Sequence, residues 1–508
     1  MSAPYLFIFW CGVHGIFCAN IDVSTRVGTI RGVASSITID GASYTYKKYL
    51  GIPFAKPPVG DRRWRKPEEY GSLGADVFDA SSYGNICPQI RLPGLDVVGT
   101  ESEDCLYLNI WVPDASPAPD VRYSVMIFIY GGGFILGAAN MYDGAELSNF
   151  GNVILVTLNY RVGPMGFLST GDDACPGNFG FWDQIMAIKW VKNNIEFFGG
   201  DPDRMTVFGE SAGAISSALL AMFPGEGKLF QRAISESGVG SVSFIDYKRD
   251  TSFMVKAIAD KFGCYRSQNA ETIKCLKNIA WKELMTKVNE LNENVTKIEY
   301  INFDPVLDND FIKVDPKDVL KHYSERNMAE VEFFRSHDFM NGFNMYEGGV
   351  SMQYFAGGDM NAFMPTTEEF KSLITYATTM LHPGELSPAA LSMVAHAYTN
   401  WTDPENPELI RLQYAAIHGD LQFGFPAVLT SRLHADGGSV STGRTYFFHF
   451  RPAPSRRFET TPAWLDGADH GDEEQFVFGL LTKPYFQPWE RELSRTMMQY
   501  WTAFARTG

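Results

Sequence analysis

The chain has 508 residues, 45% of them hydrophobic and 14% aromatic, enough to bury a large core. Its formal net charge of −16 argues against nucleic acid and against an anionic membrane surface as partners. No Pro/Gly/Ser linker or low-complexity tract divides it, which predicts a single α/β domain over residues 20–508.

Residues 1–19 come first. Tyr5-Leu6-Phe7-Ile8-Phe9-Trp10 and the apolar stretch to Ala19 read as a signal peptide, so a secreted protein is expected. No later apolar run reaches transmembrane length. Residues 24–56 alternate short β-like runs with turns, which predicts an antiparallel edge to a sheet. The stretch from Pro53 to Gly60 reads as a proline-rigid surface loop. Val125-Met126-Ile127-Phe128-Ile129-Tyr130 is continuously apolar, the pattern of a central parallel strand buried on both faces. Val153–Leu158 repeats that pattern. A helix is predicted from Trp182 to Phe198, stopped by Gly199-Gly200. Strands alternating with helices call for a parallel sheet covered on both sides. From about residue 250 to 400 the pattern is mostly helical, as at 317–322 and 367–374, and reads as insertions capping a site.

The chemistry centres on Gly209-Glu210-Ser211-Ala212-Gly213. It follows the apolar run Arg204–Phe208 and precedes a helical run from Ala214 to Leu220. This is a G-x-S-x-G nucleophile elbow in strand–turn–helix context. The tight turn exposes the Ser211 hydroxyl and aims the Ala212 N–H at the same spot, and the helix N-terminus favours a developing oxyanion. Gly131-Gly132-Gly133 ends the 125–130 strand, and glycines there let backbone N–H groups of Gly132 and Gly133 approach a ligand as the other half of an oxyanion hole.

Seven cysteines are present. Cys11 and Cys18 would leave with the signal peptide. Cys87 and Cys105 form one close pair and Cys264 and Cys275 another, which read as local disulfide loops, although sequence alone leaves their connectivity open. Cys175 is left over as a free thiol. Asn294-Val295-Thr296 and Asn400-Trp401-Thr402 are glycosylation sequons, in keeping with export.

The sequence resembles the type-B carboxylesterase and cholinesterase family of α/β-hydrolases. The matching stretches are Pro53–Gly60, Glu103-Asp104-Cys105-Leu106-Tyr107-Leu108-Asn109, Tyr130–Phe134, Asn159-Tyr160-Arg161, Gly199-Gly200-Asp201-Pro202 and the elbow. They keep the family's order and spacing, and the resemblance runs from about residue 22 to the end. It implies an α/β-hydrolase fold and ester hydrolysis with no metal or organic cofactor.

A serine nucleophile needs a base, and the base an orienting acid. Among nine histidines, His470 stands out in the polar loop Asp469-His470-Gly471-Asp472-Glu473, late in the chain as the elbow's Ser–acid–His order requires. This segment also resembles the family's catalytic-histidine loop. The resemblance, and not composition, selects Glu347 as the acid, in Gly342-Phe343-Asn344-Met345-Tyr346-Glu347. Glu210, beside the nucleophile, is a candidate for steadying positive charge in the pocket. Three other readings stay open: a true cholinesterase, a neuroligin-like adhesion protein without catalysis, and a lipase or peptidase using the same triad, which the elbow alone does not exclude. The three triad residues argue against the second. Against the first, no aromatic residue stands between Cys87 and Cys105, and Gly348-Gly349-Val350-Ser351 follows the acid. In the family, aromatic walls at those two places bind choline by cation–π contact. A small neutral ester is therefore the expected substrate. No C-terminal anchor or oligomerisation tail is seen, and oligomeric state stays open.

Overall fold

A computed structural model describes residues 20–92, 95–114, 121–294, 303–321, 329–349, 361–381, 387–436, 443–457 and 461–508. The signal segment 1–19, with Cys11 and Cys18, lies outside them.

The frame is an 11-stranded sheet. Its strands are β1 (Asn20–Thr25), β2 (Gly28–Ile39), β3 (Ala42–Pro53), β4 (Phe78–Asp79), β5 (Tyr107–Pro113) and β6 (Tyr123–Ile129). Then come β7 (Ile154–Leu158), β8 (Gly200–Glu210), β9 (Arg232–Glu236), β10 (Asp338–Asn344) and β11 (Thr445–Phe450). The order across the sheet is β1-β2-β3-β5-β7-β6-β8-β9-β10-β11, with β4 paired to β2. From β1 through β3 and β5 to β7 the neighbours are antiparallel, and from β7 onward every pair is parallel. Helices cover both faces, as an α/β-hydrolase requires.

The expected central strands are where their composition puts them. Every residue of β6 and β7 is buried, as a strand covered on both faces requires, and all are apolar except Ser124 and Thr157. The antiparallel edge at residues 24–56 is also present. The helix predicted at 182–198 starts earlier, at Phe179, and its last turn tightens at Ile195–Phe198 before Gly199, at φ 85°, ends it. The Pro53–Gly60 stretch differs from expectation. Pro53, Phe54, Ala55 and Pro58 are buried, so only part of it is surface loop. Among the described residues no helix is long and apolar enough to cross a membrane.

Parallel strands share one direction, so their carboxyl ends line one edge of the sheet, where such folds bind ligands. The chain leaves β6 into Gly131–Gly133, β8 into Ser211 and β10 into the turn with Glu347. Two disulfides, Cys87–Cys105 and Cys264–Cys275, close local loops. Cys175 is free and buried; its thiol donates to the Leu168 carbonyl at 3.2 Å, and burial pushes it up to about 12.

Candidate active site

Ser211 stands between β8 and the helix Ala212–Met222 with φ 53° and ψ −121°. An L-residue held in that region carries about 1–3 kcal/mol of backbone strain, tolerated only where its surroundings fix it. Here they do. The Ser211 N–H donates to Glu236 O at 2.9 Å, and the Ser211 carbonyl accepts from Ile215 N at 2.9 Å. A Cβ at Gly209 or Gly213 would overlap the Ile129 carbonyl of the neighbouring strand. The elbow glycines are therefore required by contact with β6 as well as by the turn.

The glycine run after β6 lies against the nucleophile. A Cβ on Gly131 would come within 3.0 Å of the Ser211 Cβ and 2.6 Å of a Glu210 carboxylate oxygen. Gly132 and Gly133 take φ of 106° and 61°, conformations that glycine adopts without cost. A Cβ at Gly133 would meet nothing closer than Ile135 Cγ1 at 3.8 Å, so this backbone borders open space. Ala212 opens the elbow helix, at its positive end.

His470 comes from the loop after β11. Its Nε2 is 2.8 Å from Ser211 Oγ, and its Nδ1 is 2.6 Å from Glu347 Oε2. Glu347 is fully buried, three residues past the end of β10, and its other oxygen accepts from Asn344 N at 2.5 Å. With the carboxylate accepting, Nδ1 carries the ring proton and Nε2 presents a lone pair to the Ser211 hydroxyl.

The loop is polar in sequence yet closed off from water: Asp469, Asp472 and Glu473 are all buried. Asn344 explains how it is held. Its Nδ2 donates to Asp469 O at 2.7 Å and also to the Glu473 carboxylate. One residue thus ties the acid, through its backbone, to the histidine loop, through its side chain. Sequence reasoning quoted Asn344 only as part of a motif and gave it no role.

Glu210 faces the same imidazole, with Oε1 3.3 Å from His470 Nε2. Behind it lie more carboxyls, Glu236 fully buried and Glu474 partly so. Glu236, its register partner on β9, accepts from Trp501 Nε1 at 2.8 Å. Glu474 is hydrogen-bonded to Tyr142. Burial raises all of them: Glu473 to about 7, Glu474 to about 8, and Glu210 and Glu236 well above the usual carboxylate range. Burial pulls His470 down, but Glu210 and the Glu347 hydrogen bond outweigh it and carry the imidazole up to about 10. Glu210 and His470 compete for one proton. Burial and the neighbouring carboxyls raise Glu210 while the imidazole lowers it, so Glu210 and His470 titrate as a pair. The sequence singled out Glu210 but not Glu236 or Glu474, whose burial depends on which strands and helices meet.

Three other described histidines pack or bond away from Ser211. His434 bonds Thr445 Oγ1 and the His337 carbonyl, His337 bonds the Phe333 carbonyl, and His449 stacks on Phe343. His14, His322 and His382 lie outside the described residues, as do Pro93, Gly94, Val350 and Ser351 of the segments used to argue against a choline site. Asn400 sits in a partly exposed turn after the helix Pro388–Tyr398, and Asn294 ends the helix Trp281–Asn294.

A sheet of this order with a serine elbow, an acid after a later strand and a late histidine defines the α/β-hydrolase class. Residues 19–508 match the carboxylesterase family, and the chain belongs to it. It is 37% identical to a bile salt-activated lipase of Bos taurus, over 96% of this chain and 79% of that protein. It is 35% identical to neuroligin-3 of Mus musculus and to neuroligin-2 of Homo sapiens, over 96% of this chain. The chain spans only 61% and 60% of those two neuroligins.

Proposed function

We propose that this chain is a secreted serine ester hydrolase that works through an acyl-enzyme on Ser211. The observation that supports this most is the continuous path from Ser211 Oγ to His470 Nε2, 2.8 Å, and from His470 Nδ1 to Glu347, 2.6 Å. As Ser211 Oγ attacks the ester carbonyl carbon, its proton passes to His470 Nε2. The carbonyl oxygen becomes an oxyanion, and the N–H groups of Gly132, Gly133 and Ala212 are the donors for it. Losing one such donor costs roughly 3 kcal/mol of barrier. The imidazolium then protonates the departing alcohol as the C–O bond breaks. Water, deprotonated by the same nitrogen, attacks the acyl-enzyme and returns Ser211. Glu347 fixes the tautomer and stabilises the imidazolium throughout. Kinship with a lipase favours ester bonds as the target, whereas kinship with neuroligins makes an adhesion role the reading to be excluded.

For substrate class we propose neutral short-to-medium acyl esters over choline esters. The stretches 88–104 and 348–351 carry no aromatic residue, and Glu210 without aromatic walls there discriminates cations poorly. The signal segment, the disulfides and the sequons Asn294 and Asn400 support export.

The test is turnover of p-nitrophenyl esters of rising acyl length with acetylthiocholine alongside, plus labelling by a fluorophosphonate. One adduct on the Ser211 peptide, lost in Ser211→Ala, is expected, and His470→Ala should lower kcat by several orders of magnitude. Labelling that survives Ser211→Ala would overturn the assignment. A kcat/KM for acetylthiocholine well above that for p-nitrophenyl butyrate would overturn the substrate class.

A further inference from the structure

His470 has two kinds of surface. Its nitrogens are engaged by Glu347 and Ser211. One ring face is covered by Phe423, with ring centroids 4.6 Å apart and planes inclined by 32°. Phe423 is itself buried and backed by Phe244, at 5.5 Å.

The backbone beneath Phe423 is unusual. Between the helices Pro407–Gly419 and Phe425–Ala435 lies a single wide turn, Asp420–Gly424, of the π type. Its cause is local. Pro426 has no N–H, so the Gln422 carbonyl loses its helical donor. The Phe425 N–H bonds Asp420 O instead of Leu421 O. The freed Leu421 carbonyl accepts from Ser243 Oγ at 2.8 Å. Such bulges are frequent at functional sites. The same helix also seats the acid: a Cβ on Gly419 would lie 2.9 Å from the Glu347 Cβ. One stretch of backbone therefore abuts both Glu347 and His470.

We propose that Phe423 is a positioning residue of the site: its ring face holds the His470 imidazole in line between Glu347 and Ser211 and favours the imidazolium that forms during turnover. This rests on the ester-hydrolase reading above. The physical reason is that rotation about the Cβ–Cγ bond of histidine is soft, so two hydrogen bonds alone define the ring plane weakly. An aromatic face inclined over the ring restricts that freedom, and its negative quadrupole attracts the cation. The charged groups facing the imidazole from the other elements are Glu210 at the end of β8, Glu347 after β10, and Glu473 and Glu474 at the start of the helix Glu474–Phe478. They are acidic, so they favour the same cation but leave the ring plane undefined.

The experiment compares Phe423→Leu and Phe423→Tyr with the parent protein on p-nitrophenyl butyrate across pH. Leu keeps bulk and apolarity but has no ring face. It should lower kcat roughly tenfold with KM little changed, and move the acid limb of kcat/KM down by about half a pH unit. Tyr keeps the face and should restore both. Should Phe423→Leu fail to fold, pentafluorophenylalanine at 423 keeps the shape and inverts the ring's charge distribution, and the same shift is expected. Wild-type kcat with an unmoved acid limb in Leu, or equal losses in Leu and Tyr, would overturn the proposal. A parent protein that hydrolyses no ester would refute the enzymatic reading alone. The titration of the His470 Nδ1–H proton resonance, which needs no turnover, would then decide the Phe423 role by the same shift.

Discussion

Asn344→Ala should separate holding the histidine loop from holding the fold. The side chain donates to two buried acceptors, the Asp469 carbonyl at 2.7 Å and the Glu473 carboxylate. Its loss leaves both without that donor, at about 1–3 kcal/mol of stability each. The backbone N–H of residue 344 still reaches Glu347, so the acid keeps its place. The histidine does not, because the carbonyl just before it is released. A shift of about 1 Å in the base costs on the order of 100-fold in rate. Asn341→Ala is the control. Asn341 lies three residues earlier on β10 and is equally buried, donating to Ala427 O at 3.3 Å and accepting from Ser431 Oγ at 3.0 Å, away from the histidine loop. Urea unfolding and p-nitrophenyl butyrate kinetics on both variants read the two effects. Both should lose stability, and only Asn344→Ala should lose kcat. If Asn344→Ala keeps kcat within about twofold while losing as much stability as Asn341→Ala, the loop is held by something else and the reasoning fails.

Three further outcomes are expected. The Glu474 carboxyl, raised by burial to about 8 in the fold, lies above its unfolded value of 4.5; its contribution to stability is therefore fully present below about pH 4.5 and is lost as pH rises through about 8. Glu474→Gln should flatten the fall in the urea midpoint between about pH 4.5 and pH 8, and an unchanged slope across that window would refute this. Cys175, buried with its thiol pushed up to about 12, should resist iodoacetamide in the native protein and react once unfolded, and a non-reducing peptide map that pairs it with Cys87, Cys105, Cys264 or Cys275 would contradict the disulfides described above. Gly213→Ala should destabilise by about 3 kcal/mol, measured by urea unfolding, because its methyl would overlap the Ile129 carbonyl, and a loss under about 1 kcal/mol would show that β6 gives way.

The sequence by itself determined what depends on short-range pattern. The runs at 125–130 and 153–158 read as buried strands because they are short, rich in β-branched and aromatic residues, and almost wholly apolar. The elbow was legible because a tight strand–turn–helix junction demands small residues at 209 and 213. The strands β9 to β11 were not recognised. Arg232-Ala233-Ile234-Ser235-Glu236 has two apolar residues in five, and its buried Glu236 reads as a surface residue until Trp501 is known to face it. The choice of Glu347 among many carboxylates needed family likeness, since nothing within its own turn distinguishes it. What only the tertiary structure decided was convergence. Ser211 and His470 are 259 residues apart, and Glu347 and His470 are 123 apart. Neither separation leaves a periodicity in the chain. The same holds for Asn344 beneath the histidine loop and Phe423 on the imidazole face. Their roles come from which strand ends and which helix break share one edge of the sheet, and that is set by long-range packing.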